Sequence, residues 1–506
     1  MTMNEEPEYD VVIIGSGLGG LACGVIFAKE GQRVCILERN KQIGGTLQTF
    51  SRDKVIFDSG VHYVGGLGEG QNLNQLFRYF GIMDKMKIKK LDEDMYDALQ
   101  LKDDPTVYKH AQGYENFIKT LAEHFPEEEE NLRKYCDAIR EVCDSFPLYN
   151  LKAEGALGKK GLSIDVTSFI ESITPNKKLR SILGGTNMLY AGEEYRTPLY
   201  VHALIMNSYI EGSWRFVDGG SQIAKHLARE ITSRGGVIIK RAHVNKIKEE
   251  GGVVSYVSTT DGRKFRGKYY ISNLHPRTTM DITESDVIKK AYRNRMNSIS
   301  NTISTFYSNV VMKKGEFPYL NHNYYCAEGD NVWRIGGHTD ENWPLGFFLS
   351  CSASSKSDVY AEGVTVMAYM RYDEVKKWEN TFNTVTEEED RGEDYERFKK
   401  EKAEKLFDCV EKRFPGFKKA IHSYTSATPL TARDYLGTHD GTLYGYSKDA
   451  DDAIKSFISP NTKIPNLLLT GQNINLHGVL GVSLSSVVTS SQIFGLEYLI
   501  KKIRNA

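Results

Sequence analysis

The stretch YDVVIIGSGLGG, residues 9–20, decides the fold of this chain. Tyr9–Ile14 is a short, β-branched apolar run that is typical of a buried parallel strand. Residues 15–20 follow directly with the spacing GxGxxG, and LACGVIFAKEG then has the apolar periodicity of a helix. RVCILE, residues 33–38, has the pattern of a second strand. A strand, a glycine turn, a helix and a strand in this order predict a right-handed βαβ unit.

The glycine turn at residues 15–20 is a candidate pyrophosphate site. The first glycine permits the tight turn, the second lets the backbone approach a pyrophosphate, and the third lets helix and strand pack closely. The helix N-terminus adds free N–H groups and a partial positive charge. Glu38 ends the second strand, where a carboxylate can accept hydrogen bonds from ribose hydroxyls. The predicted dinucleotide contacts are therefore Gly15, Ser16, Gly17, Leu18, Gly19, Gly20 and Glu38.

The residues after the second strand distinguish between dinucleotides. An acid at Glu38 argues against a 2′-phosphate and leaves NAD and FAD open. Arg39 and then Gly44, Gly45 and Thr46 follow, and this second glycine pair lets another loop approach the same dinucleotide. An NAD dehydrogenase does not need that loop, whereas a larger flavin dinucleotide bound in extended form does. The sequence therefore predicts FAD.

Composition limits the classes of function. The 506 residues correspond to two or three domains, and 65 basic against 66 acidic side chains leave a net charge of −1. Because no strong positive field exists, we expect no nucleic-acid partner. The seven cysteines contain no CxxC pair, so we expect no disulfide framework, and no metal site is predicted. The acidic N-terminus is unlike a signal peptide, and no apolar run approaches a membrane span. We expect a cytoplasmic protein that is soluble or peripherally bound to a membrane.

Along the chain, α/β patterns occur at the start, in the middle and at the end, with other material between them. Residues 71–150 and 165–210 have helical patterns, and the final helix is predicted at 483–503. Further helices and strands are predicted at residues 222–234, 236–239, 253–258, 269–273, 302–312, 364–370, 387–405 and 466–470. The domains therefore look interleaved.

Residues 10–66 resemble the FAD fingerprint of the phytoene desaturase, carotenoid isomerase and retinol saturase group of flavoproteins. The similarity includes the glycine turn, Glu38, Gly44-Gly45 and FDSGVHYVGG at residues 57–66, which is most similar to the retinol saturases. Residues 428–445 and 470–481 also agree with the group. The resemblance implies an α/β fold with a Rossmann-like, three-layer FAD-binding domain and an α+β substrate-binding domain. We place the first at residues 1–100, 212–285 and 455–506, and the second at residues 101–211 and 286–454.

The same resemblance implies further contacts with the cofactor. Val244 would lie near the adenine, whereas Gly471 and Gln472 would meet the ribityl chain and the pyrophosphate. Leu480, Gly481 and Val482 would approach the isoalloxazine ring, and Gly60 and His62 would also contact the cofactor. The helix that follows would point its dipole at the reduced ring and stabilise it.

The implied activity is FAD-dependent hydride transfer at a carbon–carbon double bond of a hydrophobic polyene or isoprenoid-like lipid. This covers retinol saturase-like reduction and carotenoid desaturation or isomerisation. Reduction also needs a proton, and His62, Tyr63 and His477 are the candidate catalytic donors. It needs an electron source such as NAD(P)H, which would bind transiently because the chain has a single GxGxxG. A flavin amine oxidase and a non-enzymatic prenyl-lipid carrier remain as alternatives.

The segment WPLGFFLS, residues 343–350, has two interpretations. As an exposed apolar loop it would touch a membrane and extract a lipid. As a strand it would belong to the core of the substrate-binding domain.

Overall fold

A parallel sheet has the predicted βαβ unit at its centre. The computed structural model describes residues 8–155, 161–329, 331–452, 456–474 and 476–506. The strands of this parallel sheet, in spatial order, are Val237–Lys240, Val34–Glu38, Tyr9–Ile14, Gly267–Ser272 and Leu467–Leu469. Because these strands come from the start, the middle and the end of the chain, the sheet joins three distant sequence segments.

The parallel sheet is covered on both faces, which gives three layers. Side chains alternate between the faces of a strand. Val11 and Ile13 pack with the helix Leu18–Lys29, whereas Val12 and Ile14 pack with a small sheet on the other side. The helices on the first face are Leu18–Lys29, Ser221–Thr232, Gly478–Phe494 and Leu496–Arg504. The small sheet has the order Lys264–Phe265, Val253–Thr259, Val244–Glu250 and Thr283–Glu284.

A large mixed sheet with helices on both faces forms the second body of the fold. Its strands, in spatial order, are Ile421–Ala427, Ser304–Met312, Gly363–Met370, Gly346–Cys351, Asn323–Ala327, Asp97–Gln100 and Tyr108–His110. The helices on one face are Tyr114–Ala122, Glu129–Asp144, Val166–Ile173, Lys177–Gly184 and Leu199–Glu211. Helix Glu393–Arg413 packs on the other face.

Shorter elements pack beside the parallel sheet or beside the large mixed sheet. They are the hairpin Thr49–Arg52 and Val55–Asp58, the small sheet Val64–Gly65, Ser213–Phe216 and Ile88–Lys90, and the helices Asn72–Phe80, Pro276–Asp281, Lys290–Ser298, Phe417–Ala420 and Pro429–Leu436. The domain bounds stay a prediction. Strand Asp97–Gln100, which those bounds assign to the FAD-binding domain, pairs with Asn323–Ala327 in the large mixed sheet. Sheet pairing therefore favours a boundary shortly before residue 97.

The segment at residues 343–350 belongs to the core. Gly346–Cys351 is an inner strand of the large mixed sheet, buried along its whole length. Trp343 is also buried, and its Nε1 donates to the Tyr369 carbonyl at 2.7 Å. The interpretation as a membrane-touching loop is therefore wrong, and the strand interpretation is confirmed. No helix within the described ranges combines the length and apolar character that crossing a bilayer requires.

The predicted final helix is two helices. Gly478–Phe494 ends at Gly495, and Leu496–Arg504 begins after it. Gly495 has φ +85° and ψ 138°, a conformation that side-chain-bearing residues rarely adopt, so the chain changes direction there. Helical periodicity on both sides hides this break. The helix predicted at residues 387–405 likewise lies later, at Glu393–Arg413.

Gly495→Ala is expected to lower the free energy of unfolding by about 1 kcal/mol, because alanine is strained at this positive φ. A Cβ at this position would meet no heavy atom within 4 Å, so the cost is conformational and flavin content is expected to stay unchanged. Thermal unfolding of the purified protein measures the effect. Gly329→Ala is the control, since its φ lies outside the left-handed region and its nearest contact is 3.5 Å. An unchanged midpoint in Gly495→Ala would contradict this explanation of the helix break.

Candidate functional site

Three glycine segments meet at the start of helix Leu18–Lys29. Gly17 forms a β-bridge with Gly44, whose N–H donates to the Ser16 carbonyl at 3.0 Å. A Cβ added to Gly45 would lie 3.2 Å from Gly17 Cα, and one added to Gly19 would lie 3.0 Å from Gly471 Cα. We call residues 15–20, 44–45 and 471 the glycine cradle. Predicted contacts from both ends of the chain thus come together here.

The glycine cradle has the properties that a diphosphate needs. Side chains at several of its positions would fill the space between the three segments, so only glycine leaves the backbone open there. The N-cap of the helix is Gly17, which has no side chain to bond the first N–H groups. Those groups have no intrahelical acceptor and carry the positive end of the helix dipole. The cradle therefore fits the pyrophosphate of a flavin dinucleotide.

Glu38 ties the end of its strand to the glycine turn. The carboxylate is 6% exposed and accepts hydrogen bonds from Ser16 N–H at 3.0 Å, Ser16 Oγ at 2.5 Å and Asn40 N–H at 2.7 Å. The Glu38 carbonyl accepts from Ala242 N–H at 2.8 Å, which brings the strand that begins at Val244 beside it. Val244 is buried in the same core as Leu37. The structure thus places Glu38 and Val244 together.

The motif at residues 428–445 packs against the residues after Glu38. Arg39 Nη2 donates to the Asp434 carbonyl at 2.6 Å, and Asn40 Nδ2 donates to the Tyr435 carbonyl at 2.9 Å. Both acceptors lie in helix Pro429–Leu436. The sequence similarity in this late segment therefore corresponds to a contact with the predicted nucleotide site.

A cavity lies between the glycine cradle and the large mixed sheet. Ten of the predicted site residues line it: Leu18, Thr46, Gly60, His62, Tyr63, Gln472, His477, Leu480, Gly481 and Val482. The other lining side chains are mostly aliphatic and aromatic, such as Met188, Leu204, Tyr307 and Phe348. Within the described part of the chain, no Asp, Glu, Lys or Arg lines this cavity. It offers an apolar ligand a dry surface beside the start of helix Gly478–Phe494.

The two candidate histidines are neutral at pH 7. Burial lowers the pKa of both His62 and His477 to about 4. His477 Nε2 lies 3.2 Å from the Leu189 carbonyl, so the ring holds its N–H toward the backbone. His62 Nε2 is buried and has no hydrogen-bond partner within the described residues. A neutral imidazole is a much weaker acid than an imidazolium.

Tyr63, the third candidate, belongs to a buried hydrogen-bond network. Its hydroxyl donates to Asp97 Oδ2 at 2.9 Å and lies 2.7 Å from the hydroxyl of Tyr325. Asn323 Nδ2 donates to the other Asp97 oxygen at 2.9 Å, and Arg215 Nη2 donates to Asn323 Oδ1 at 2.8 Å. Burial raises the pKa of Asp97 to about 7, against the lowering effect of the bonds from Asn323 and Tyr63.

Sequence reasoning did not find Asp97, Arg215, Asn323 or Tyr325. The one signal available was an acid in the short strand Asp97–Gln100, whose other members include Ala98 and Leu99. A fully buried carboxylate needs partners, so such an acid indicates a polar network inside the core. The identity of those partners is visible only in the tertiary structure.

Comparisons with known proteins agree with this architecture. Residues 18–388 match the family described as flavin containing amine oxidoreductase. Human all-trans-retinol 13,14-reductase is 27% identical over 537 residues, which cover 97% of this chain and 86% of that protein. A chloroplastic prolycopene isomerase 2 from an Oncidium hybrid cultivar is 23% identical over 513 residues, covering 97% and 84%. A solved oxidoreductase from Methanosarcina mazei has a TM-score of 0.65 at 15% identity, covering 94% and 98%.

These similarities confirm the predicted resemblance to the retinol saturase and carotenoid isomerase group and the predicted α/β flavoprotein fold. The family match spans most of the chain and begins inside the glycine turn, where the cradle is formed. The chain belongs to the flavin containing amine oxidoreductase family and is a flavin-dependent oxidoreductase.

Proposed function

We propose that the chain binds FAD in extended form across the glycine cradle. The pyrophosphate would lie on the N-terminus of helix Leu18–Lys29, with Glu38 at the ribose and Val244 at the adenine. Arg39 and Thr46 would border the same dinucleotide. Gly471 and Gln472 would contact the pyrophosphate and the ribityl chain, where the dinucleotide enters the cavity. Around the ring system we place Gly60, His62, Leu480, Gly481 and Val482, since all five line the cavity.

We further propose that the substrate is a hydrophobic polyene or isoprenoid-like lipid that reacts at a carbon–carbon double bond. A bound flavin supplies hydride transfer. The observation that carries this proposal is the cavity wall, which has no charged side chain within the described residues. Burial of a polyene there removes apolar surface from water at about 25 cal/mol per Å². A charged ammonium group would lose its hydration without gaining a carboxylate partner.

The chain's own side chains would hold and orient the lipid. Phe348, Tyr307 and Tyr444 present aromatic surface to the cavity, and Met188 and Leu204 present flexible and branched apolar surface. Such walls exclude water, and the few hydroxyl and amide groups in the cavity lining would then orient the lipid. The named relatives, a retinol reductase and a prolycopene isomerase, are enzymes of polyenes, which supports this substrate class.

Two partners complete the proposal. Reduction requires a two-electron donor, and we propose that NAD(P)H binds transiently, because the glycine cradle is already assigned to FAD.

A polyene of this class partitions into bilayers, so we propose a cytoplasmic protein that binds a membrane peripherally to extract it. Cosedimentation with lipid vesicles tests the membrane contact, and anaerobic bleaching of the flavin by NADPH tests the donor.

The proposed reaction is tested with purified flavoprotein under anaerobic conditions. The flavin is reduced chemically, all-trans-retinol or prolycopene is added, and the polyene absorbance is followed together with reoxidation of the flavin. Loss or shift of the polyene band is expected. Absence of turnover with every polyene, combined with hydrogen peroxide release from an aliphatic amine in air, would replace this proposal by the amine oxidase alternative. Protein that takes up no flavin would point to the lipid carrier.

Ile205→Glu is expected to raise KM for the polyene at least tenfold and to leave flavin content unchanged. Ile205 lines the cavity from helix Leu199–Glu211, and a carboxylate there would be desolvated by the bound lipid. Steady-state kinetics and flavin absorbance measure the two effects. Ile56→Glu is the matched control, since Ile56 is 39% exposed and lies outside the cavity. An unchanged KM in Ile205→Glu would contradict the proposed lipid site.

A further inference from the structure

A buried acid stands directly behind the cavity wall. Tyr63 and Tyr325 line the cavity, whereas Asp97 does not and has no exposed surface. The Tyr63 hydroxyl lies between the Asp97 carboxyl, at 2.9 Å, and the Tyr325 hydroxyl, at 2.7 Å. The three groups form one hydrogen-bonded row from the core to the cavity surface.

Which group donates each hydrogen bond in this row depends on whether Asp97 is protonated. When the carboxyl is ionised, it accepts from Tyr63, and Tyr63 accepts from Tyr325, so all hydrogens point into the core. When the carboxyl is protonated, it can donate to Tyr63, and Tyr63 can donate to Tyr325. The hydroxyl hydrogen of Tyr325 is then free to point into the cavity. The protonated row therefore presents a proton at the surface where a substrate would lie.

The surroundings of Asp97 act in opposite directions on the pKa of its carboxyl. Burial raises its pKa to about 7, and hydrogen bonds from Asn323 and Tyr63 and the charge of Arg215 lower it. The guanidinium of Arg215 is 1% exposed and reaches the carboxyl through Asn323. The titratable and charged groups that face Asp97 are Tyr63, Tyr96, Tyr209, Tyr325, His110 and Arg215. Burial raises the pKa of the four tyrosines and lowers that of His110 to about 3, so these five are neutral at pH 7.

We propose that Asp97 is a positioning residue that loads Tyr63 and Tyr325 with the proton delivered to the substrate carbon, an inference that rests on the proposed reduction of a double bond. Reduction adds a hydride, with its electron pair, to one carbon and a proton to the other. A bound flavin would supply the hydride and would be reduced again by a two-electron donor such as NAD(P)H. The former π pair forms the second C–H bond with the tyrosine proton. The Asp97 proton neutralises the phenolate, and the carboxylate is reprotonated through Tyr63 and Tyr325 from water that enters the cavity after the product leaves.

Asp97→Asn tests the proposal, because asparagine keeps the shape and one acceptor but carries no acidic proton. We expect kcat for the polyene to fall about 100-fold, the usual range for loss of a proton donor, with KM within about twofold. Below pH 7 the wild-type carboxyl is loaded, so wild-type kcat should fall as pH rises through about 7. That dependence should disappear in Asp97→Asn. Flavin absorbance and anaerobic reduction should be unchanged.

A second readout does not require turnover. Infrared difference spectra of the substrate-free flavoprotein should show a protonated carboxyl band that titrates near pH 7 and is lost in Asp97→Asn. Tyr63→Phe and Tyr325→Phe should each lower kcat at least tenfold. Tyr200→Phe is the matched control, since Tyr200 is equally buried, lies outside the cavity lining, and has a hydroxyl without a partner in the described residues.

The outcomes separate this inference from the proposed function. Wild-type protein that reduces no polyene refutes the function. Active wild-type protein whose Asp97→Asn variant has the same kcat and the same pH profile refutes the role of Asp97. If Asp97→Asn does not fold, the double variant Tyr63→Phe/Tyr325→Phe decides. A kcat equal to that of Tyr200→Phe would overturn the proposal, and a loss of about 100-fold or more would support it.

Discussion

Gly20→Ala is expected to yield a protein that retains no flavin and unfolds at a lower temperature. An added Cβ would collide with the carbonyl oxygen of Gly15 and lie 3.3 Å from Ile13 Cγ2. The obstacle is backbone, so the start of helix Leu18–Lys29 must move away from strand Tyr9–Ile14. Overpacking of this kind costs about 1–3 kcal/mol, and the displaced N–H groups no longer converge on the pyrophosphate position.

The measurement is flavin absorbance per protein after gel filtration, together with the thermal midpoint. Gly19→Ala should have a weaker effect, because its shortest contact is with the Asn273 side-chain amide, which can move, and its backbone contact with Gly471 Cα is longer, at 3.0 Å. Gly329→Ala controls for alanine itself, since its nearest contact is 3.5 Å. Full flavin content in Gly20→Ala would contradict the assignment of the glycine cradle to the dinucleotide.

Glu38→Ala is expected to weaken flavin binding at least about 100-fold. The substitution removes the charged acceptor that we propose for the ribose hydroxyls, and hydrogen bonds to charged groups contribute about 1.5–3 kcal/mol each. A loss of about 2.7 kcal/mol corresponds to 100-fold in the dissociation constant. The N–H groups of Ser16 and Asn40 also lose their acceptor, so the glycine turn is less well fixed before FAD binds.

Titration of the apoprotein with FAD, followed by flavin fluorescence, measures this change. Glu38→Gln keeps an acceptor oxygen and should fall between wild type and Glu38→Ala. Glu123→Ala is the matched control, because Glu123 is an exposed glutamate far from the parallel sheet in sequence. Equal FAD affinities for Glu38→Ala and wild type would show that this carboxylate does not serve the nucleotide site.

Most of the nucleotide-binding unit could be predicted from the sequence because its signals are local. The apolar run before the glycine turn and the acid that ends the second strand lie within a short window, and the structure places Tyr9–Ile14 and Val34–Glu38 where these patterns predict them. The roles of individual residues around the flavin stay predictions. Their positions are consistent with those roles, since ten of them line one cavity and the others meet at the cradle or beside Glu38.

The substrate side was less predictable because its strands are short. Ile88–Lys90, Asp97–Gln100 and Tyr108–His110 lie in a region whose overall pattern predicts helix, and three or four residues carry too little periodicity to show a strand. Their conformation is decided by pairing with partners far along the chain, such as Asn323–Ala327. The same pairing places the ambiguous segment Gly346–Cys351 in the core.

The sequence by itself determined that this chain has a dinucleotide-binding βαβ unit and that it resembles a group of FAD-binding flavoproteins. Both conclusions depend on neighbouring residues and on motifs that can be recognised from their spacing along the chain. Only the tertiary structure decided that Gly19 meets Gly471, and that Asp97 contacts Tyr63, which in turn contacts Tyr325. These contacts join residues that are remote in sequence. They exist because the folded chain buries Asp97 completely and places Tyr63 and Tyr325 in the wall of one apolar cavity.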